Sequence, residues 1–251
     1  MIRNLCDRAL AWSPHKEDTA SILSEEAELT DFQPEATFVA QIDIVSDVMC
    51  PWCIVGYRQL EQALALTGMG ANVRWHPFEL NPDMPTEGQN LAEHLAQKYG
   101  ASAADSKANR ARLVGIGASL GIDFQFTEES RIVNTFDAHQ ILDFAASKGL
   151  QHPLKLALFD AHFTQGRDVS QSDVLCDIAA SVGMDRSEVA EVLQQGMLKQ
   201  SVREKQHFWT SRGISGVPSV VFSERYLLTG AQGVQTYAEM LRRTRKEALA
   251  A

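Results

Sequence analysis

The sequence predicts an α/β fold in which a long helical block interrupts a small sheet. From Phe38 to Ile44 apolar residues alternate with others, as in a half-buried strand, and two further β-rich runs cover 217–222 and 226–229. The roughly 120 residues between these regions carry helix caps and glycine stops but almost no strand pattern. We therefore expect one sheet whose two halves are separated in the chain by helices.

The first half of the sheet is predicted to be a strand, a helix and a second strand. The first strand covers Thr37 to Val45, and Pro51 can occupy the first turn of a helix without losing a needed donor. Apolar residues continue that helix to Gly68, and a second strand follows at 72–78. This order predicts a right-handed βαβ unit with parallel strands.

The middle of the chain is predicted to be an all-helical insertion. Three pairs resemble reciprocal helix caps, and four glycines stand where helices could stop: Ser102 with Asp105, Ser170 with Asp173, Asp185 with Glu188, and Gly121, Gly149, Gly183 and Gly196. After the insertion come two strands and a last helix from Val234 to Ala248. The expected parts are a flexible leader without an assigned role, a βαβ half, the insertion and a ββα half: 1–36, 37–85, 86–212 and 213–251.

Composition and charge exclude several classes of protein. The 251 residues include 23 basic and 32 acidic ones, and the net charge of -9 repels phosphate backbones. No apolar run approaches the roughly 20 residues that cross a bilayer. The first 17 residues lack the uninterrupted apolar stretch of a secretory signal. We expect a cytoplasmic protein that binds neither nucleic acid nor membrane.

The chemistry concentrates at Cys50-Pro51-Trp52-Cys53, where a predicted strand turns into a helix. A thiol at a helix N-terminus faces unpaired backbone N–H groups and the positive end of the helix dipole, which stabilise its thiolate. Cys50 is therefore the expected nucleophile. Cys53, three residues later, can attack a mixed disulfide on Cys50 and release the partner. This pattern predicts thiol-disulfide exchange.

Other interpretations of the cysteine pair are a zinc half-site or two core thiols. Tetrahedral zinc needs two further ligands, and no second pair with C-x-x-C or H-x-x-H spacing exists in the chain. Cys6 and Cys176 stand alone, and we expect a disordered thiol and a buried helix-face thiol. The redox interpretation is favoured, with no metal.

With these motifs the chain resembles the DsbA family of the thioredoxin superfamily, and within it the FrnE-like branch. The resemblance covers Thr37 to about Ala248 and rests on the segment from Ser46 to Gly56, on Asn81-Pro82, on Gly216-Val217-Pro218 and on Gly230-Ala231-Gln232. It implies a thioredoxin-like fold with a large helical insertion. It also implies that Pro218 is a cis-proline facing the dithiol, that the Val217 backbone pairs with an extended substrate, and that Arg131 and Asn134 line a groove.

Several other side chains near the motif have two interpretations. Trp52 could contact substrate or cover Cys53, and contact is favoured because an apolar surface beside a nucleophile suits a peptide or aromatic partner. Asp43 and Asp47 could carry protons for Cys53, yet aspartates at strand ends are more often caps or solvated. His139 and His162 are expected to pack or to form a satisfied hydrogen bond rather than to bind metal.

Three functions remain open at this stage. The leading one is a thiol-disulfide oxidoreductase acting on a protein or small-molecule disulfide or thiol, with no cofactor and with glutathione as a candidate co-substrate. The second is a glutathione-dependent isomerase or transferase of the 2-hydroxychromene-2-carboxylate isomerase type, although those relatives typically carry serine at the position of Cys50. The third is a non-catalytic binding module or chaperone that uses the apolar surface around Trp52.

Overall fold

A four-stranded sheet lies at the centre of the part of the chain that the computed structural model describes, residues 38–250. Its strand order is β2-β1-β5-β6, with β1 parallel to β2 and antiparallel to β5. The predicted parallel βαβ unit is therefore confirmed. The strands of the molecule are β1 (Val39–Ser46), β2 (Gly70–Pro77), β3 (Gln89–Asn90), β4 (Arg131–Ile132), β5 (Ser219–Phe222) and β6 (Tyr226–Thr229).

Helices pack on the sheet and also form a region of their own between β2 and β5. They are α1 (Pro51–Thr67), α2 (Leu91–Tyr99), α3 (Ala103–Ser119), α4 (Phe136–Ser147), α5 (Gln151–Phe163), α6 (Ser172–Ser181), α7 (Arg186–Gln195), α8 (Lys199–Thr210) and α9 (Val234–Leu249). None of these helices combines the length and the apolar character that a bilayer crossing requires. The predicted leader, 1–36, lies outside the described residues, as does Cys6.

The helix α1 starts and stops where the sequence predicts. Pro51 opens it, and Gly68 ends it in the left-handed conformation with φ 64°, which glycine adopts without strain. Its buried side chains, with those of the sheet and α9, form an apolar core that includes Cys53, Leu60 and Phe222. Because these side chains of α1 are buried, the start of α1 is held against the end of β1.

The helices between β2 and β5 build a second apolar core of their own. This core includes Leu154 and Leu158 of α5 and Leu175 of α6. Val48 and Met49 also belong to it, although they lie between β1 and α1. The residues immediately before Cys50 are thus anchored in the helical region, and those immediately after it in the sheet region.

Local details of the helical region differ from the sequence-based expectations. It is not all helical, because Gln89–Asn90 pairs with Arg131–Ile132, and a ladder of two residues is too short to leave a periodic pattern. Ser170 does not cap a helix with Asp173, since its hydroxyl bonds to Asp168 instead. The reciprocal cap of Ser102 with Asp105 is confirmed.

Candidate active site

The thiol of Cys50 lies at the N-terminus of α1, as its place in the sequence predicts. Cys50 is the N-cap residue, with φ -89° and ψ 110°, and its carbonyl accepts a hydrogen bond of 3.0 Å from the N–H of Cys53. The first turn of α1 contains no acidic residue, so nothing there offsets the positive end of the helix dipole. Cys50 is 3% exposed, and it lines the wall of a surface groove.

Cys53 lies one turn later and is fully buried, with 0% exposure. Burial raises the pKa of Cys53 well above its ordinary value, and a hydrogen bond with Cys50 raises it further. Both thiols are free. The two cysteines therefore differ in their surroundings: only Cys50 lines the groove, and burial favours the protonated form of Cys53.

The loop before β5 closes over Cys50 from the other end of the chain. The Val217-Pro218 peptide bond is cis, which confirms the geometry that the resemblance implied. The thiol of Cys50 donates a weak, 3.7 Å hydrogen bond to the carbonyl of Val217. Among the described residues the N–H of Val217 has no hydrogen-bond partner.

A glycine in α1 permits the close approach of this loop. A Cβ atom on Gly56 would lie 3.1 Å from Cγ of Pro218 and 3.3 Å from the hydroxyl of Tyr237. Both distances are shorter than ordinary carbon contacts. Gly56 thus lets α1 and the Pro218 loop come together beside the dithiol.

The groove in front of Cys50 has a volume of about 690 Å³ and an apolar floor. Pro51 and Trp52 line it, together with Phe126 and Phe163 from the helical region. The guanidinium of Arg112 lies 5.7 Å from the centre of the Trp52 ring. The groove that Cys50 lines thus offers an apolar surface and, at Trp52, a cation.

The polar part of the groove is rich in cations although the chain as a whole is acidic. Arg110, Arg112 and Arg131 line it, and within the described residues none of the three forms an ion pair with a carboxylate. His162 also lines it and is half-buried, and its buried Nδ1 atom has no hydrogen-bond partner among the described residues. These groups suit a client that carries negative charge or hydrogen-bonding groups.

Two charged side chains lie behind the dithiol, on the side away from the groove. Asp47 is 1% exposed, and its carboxylate accepts hydrogen bonds from the N–H of Leu80 at 2.7 Å and of Met49 at 3.3 Å. Lys155 of α5 is also 1% exposed. Its positive charge lowers the pKa of Cys53, in opposition to the larger effect of burial. Sequence reasoning missed Lys155, because a lysine on a helix normally marks the solvated face.

The remaining candidates from the sequence fall outside the dithiol site or have structural roles. Asp43 is tied to Arg74 and His76 at 2.7 Å each, across β1 and β2. His139 bonds through Nε2 to the carbonyl of Phe78 at 3.0 Å, as expected of a satisfied core histidine. Asn134 does not line the groove, because its side chain caps α4 at the N–H of Phe136.

In residues 38–250 no cluster of three or more histidine, cysteine or acidic side chains could hold a metal ion. Cys176 is 2% exposed on α6, the buried helix-face thiol that the sequence predicts.

A parallel βαβ unit, a free C-x-x-C dithiol at a helix start and a cis-proline loop opposite define a thioredoxin-fold protein of the thiol-disulfide kind. The family of the DSBA-like thioredoxin domain matches residues 41–242. The chain belongs to this family, as its resemblance implied.

Solved structures share this architecture. A probable DsbA oxidoreductase from Streptomyces coelicolor is 30% identical, with a TM-score of 0.78 over 83% of this chain and 91% of that one. The fold also matches a 2-hydroxychromene-2-carboxylate isomerase, at 16% identity and a TM-score of 0.63 over 84% of this chain and 99% of that one. The cytosolic disulfide reductase DsbM from Pseudomonas aeruginosa, solved with GSH, is 17% identical, with a TM-score of 0.57 over 82% and 99%.

Proposed function

We propose that this protein is a thiol-disulfide oxidoreductase in which Cys50 forms the mixed disulfide with the client and Cys53 resolves it. The observation that carries the proposal is the contrast between the two thiols. Cys50 lies at the start of α1 and lines the groove, whereas Cys53 is fully buried behind it. A thiolate on the accessible side and a protonated thiol on the buried side are what a two-step exchange requires.

In the first step the Cys50 thiolate attacks one sulfur of the client disulfide. A Cys50-client bond forms, the client's own S–S bond breaks, and its second sulfur leaves as a thiolate that takes a proton from solvent. In the second step Cys53 attacks the Cys50 sulfur, which joins the two cysteines and releases the rest of the client as a thiol. The client is reduced by two electrons and the dithiol is oxidised, and the reverse sequence oxidises a client.

The groove indicates how a client is held. Trp52 supplies an apolar contact in the groove, and Val217, whose carbonyl lies 3.7 Å from the Cys50 sulfur, has an unpaired N–H that we propose for pairing with an extended client backbone. The unpaired arginines favour a client with carboxylates. Glutathione, which carries two carboxylates, is therefore our second proposal for a partner, and its presence in the DsbM structure supports this choice. The reaction needs no bound cofactor.

The proposed compartment is the cytoplasm, which the sequence analysis favours and the cytosolic DsbM supports. There the glutathione pool keeps most dithiols reduced, so the direction of the reaction depends on the potential of the Cys50-Cys53 pair.

The isomerase and the non-catalytic alternatives are weaker. The fold is shared with a 2-hydroxychromene-2-carboxylate isomerase, but those relatives typically carry serine where this chain has Cys50. A binding module or chaperone would need the groove, but it would not need one thiol that lines the groove and a second that is buried. The two alternatives predict that Cys53 is dispensable.

The test uses full-length protein equilibrated in glutathione redox buffers, with alkylation and mass spectrometry of the products. The parent should interconvert between a Cys50-Cys53 dithiol and disulfide. Cys53→Ala should accumulate one glutathione on Cys50, and Cys50→Ser should form no adduct and catalyse no exchange. Full exchange activity in Cys50→Ser, or no adduct on Cys50 in Cys53→Ala, would overturn the proposal.

A further inference from the structure

The helix α2 has an apolar face that does not pack into the protein. None of its nine residues is buried, whereas every other helix in residues 38–250 has at least one buried residue. Its large apolar side chains nevertheless recur on one face, at Leu91, Leu95 and Tyr99. Leu91 packs at the edge of the second apolar core, but Leu95 and the 64% exposed Tyr99 belong to neither core of the described residues.

This face of α2 lines the same groove as Cys50. Two residues of α3, which packs beside α2, line the same part of the groove. We call this part the distal pocket, and its residues are Leu91, Leu95, Tyr99, Ser106 and Leu113. From Leu91 to Tyr99 the helix rises about 12 Å, at 1.5 Å for each residue. That length corresponds to about four residues of an extended chain.

A buried hydroxyl in the distal pocket has no hydrogen-bond partner. Ser106 is 2% exposed, and its Oγ atom makes no hydrogen bond with any described residue. A serine within a helix often donates to the carbonyl three or four residues earlier, as Ser119 of α3 does to Ile116 at 2.7 Å. A buried polar atom without a partner costs free energy. The hydroxyl of Ser106 is therefore available to a group that enters the groove.

Both helices of the distal pocket are tied to residues around the dithiol. On α2, Nζ of Lys98 donates a hydrogen bond of 2.8 Å to the carbonyl of Leu80, and the N–H of Leu80 bonds to Asp47 at 2.7 Å. On α3, the guanidinium of Arg112 lies 5.7 Å from the ring centre of Trp52. The distal pocket is thus continuous with the groove wall that contains the nucleophile.

We propose that the distal pocket binds a large apolar side chain of a peptide client whose cysteine forms the mixed disulfide with Cys50. The inference rests on the proposed function. The side chain packs against Leu95 and Leu113, and the hydroxyl of Ser106 bonds to the client backbone. An acidic residue of the same peptide pairs with Arg112, which has no carboxylate partner among the described residues.

This assignment narrows the class of client. Glutathione has carboxylates for the arginines but no apolar side chain, so it fills only the charged part of the groove. A peptide segment with a cysteine, an acidic residue and a large apolar residue fills both parts. We therefore expect such a segment to react faster with Cys50 than glutathione does.

The test uses synthetic peptides whose cysteine is joined to thiopyridine by a disulfide. When Cys50 attacks the peptide sulfur, the Cys50-peptide bond forms, the bond to thiopyridine breaks, and the released thiopyridone is followed by its absorbance in stopped flow. Each peptide contains one glutamate and otherwise glycine. A phenylalanine is placed in turn at every position within four residues of the cysteine, and a reference peptide has none. Glutathione with the same leaving group is the small client.

The variants are made in the full-length protein. Leu95→Gln makes the distal pocket polar, and Tyr99→Ser, at an exposed position, replaces it should Leu95→Gln misfold. The matched control is Leu66→Gln on α1, which changes a 53% exposed leucine that does not line the groove. Ser106→Ala removes the unpaired hydroxyl.

In the parent, phenylalanine at one of the positions should raise the rate constant for attack about ten-fold over the reference peptide, as expected for partial burial of such a side chain. Leu95→Gln should bring this ratio close to one, and Leu66→Gln should preserve it. Ser106→Ala should slow the reaction of the best peptide about five-fold. The same variant should resist urea better without a client, because it removes a buried hydroxyl that has no partner.

Three results would contradict these expectations. Equal rates for all peptides in the parent, or a ten-fold ratio that persists in folded Leu95→Gln, would overturn the distal pocket as a client site. Inhibition by free 3-phenylpropionate without acceleration by phenylalanine at any position would assign the pocket to a small aromatic acid, and it would overturn the peptide client. No release of thiopyridone from any client, glutathione included, would instead overturn the proposed function.

Discussion

The two sides of the dithiol differ in solvent access, in charge and in the segments of the chain that supply their residues. The groove side is lined by arginines that have no carboxylate partner among the described residues, and the carbonyl of Val217 lies 3.7 Å from the Cys50 sulfur. The rear side is dry at Cys53, and its buried charges are Asp47 and Lys155. Two thiols only three residues apart therefore meet different surroundings. The helical region therefore does more than cover the sheet. It supplies the arginines of the groove on one side of the dithiol and Lys155 on the other.

Alkylation tests this contrast most strongly. We expect iodoacetamide to modify Cys50 more than about ten-fold faster than Cys53, since each unit by which burial raises the pKa of Cys53 removes a factor of ten in thiolate. Cys176, buried on α6, is the internal reference and should also lag. Peptide mapping after timed quenching between pH 5 and pH 8 measures all three. Equal alkylation rates for Cys50 and Cys53 would contradict the proposed difference in accessibility and pKa between the two thiols.

The close approach of α1 to the Pro218 loop can be disturbed without touching a thiol. Gly56→Ala places a Cβ atom 3.1 Å from Pro218 Cγ, and overpacking of this kind costs about 1–3 kcal/mol. We expect lower stability in urea and slower exchange with a peptide disulfide, while Cys53 remains unreactive.

The matched control for that change is Gly115→Ala on α3, where nothing lies within 4 Å of the added Cβ. This helix-interior replacement should stabilise the protein by about 0.5–1 kcal/mol. If Gly56→Ala changes stability and exchange rate as little as Gly115→Ala does, the packing of the Pro218 loop on α1 does not require a glycine at position 56.

Charge selection by the groove should appear as a difference between two clients. Arg112→Gln should slow the attack of Cys50 on dithiobis(nitrobenzoate), a disulfide that carries two carboxylates and releases a coloured thiol, about five-fold, the kinetic equivalent of roughly 1 kcal/mol for a partly exposed ion pair. The uncharged dithiodipyridine should react at the parent rate. Arg242→Gln on the exposed face of α9 is the control and should affect neither client. Equal slowing of both clients by Arg112→Gln would mean that the groove does not select by charge.

A second cavity, of about 640 Å³, is lined by residues of β2, α4, α5 and α8, and its His152 should make the stability of the protein depend on pH. Burial lowers the pKa of His152 below its ordinary value of 6.5, so the unfolded chain binds the proton more readily than the folded one. Stability should therefore fall as the pH drops below about 6.5, by at most about 1.4 kcal/mol for each unit of pKa difference. Urea unfolding at pH 7 and pH 5.5 measures this loss. His152→Gln should reduce it, and an undiminished loss would assign it to other groups.

The parts of the site that depend on local sequence were predictable. A strand followed directly by Cys50 and Pro51 predicts a thiol at a helix start, and the structure places it there. The cis Val217-Pro218 bond could be expected only through family resemblance, because X-Pro bonds in general are seldom cis.

The parts that depend on tertiary packing were not predictable. Lys155 is separated from Cys53 by three strands and three helices, and nothing in its sequence neighbours marks it as buried. Its interior position follows from the docking of α5 against β2, which no periodicity reveals. The same reason explains why Asn134, expected in the groove, turns instead to cap α4.

The contact between Cys50 and Val217 joins residues that are 167 positions apart. A ribosome makes and releases the N-terminal part of a chain first. In a nascent chain the cysteine pair is thus made well before the Val217-Pro218 loop that packs against Cys50. Lys155 is made later than the cysteine pair, and Pro218 later still. The surroundings of the two thiols are therefore complete only after Pro218 has been synthesised.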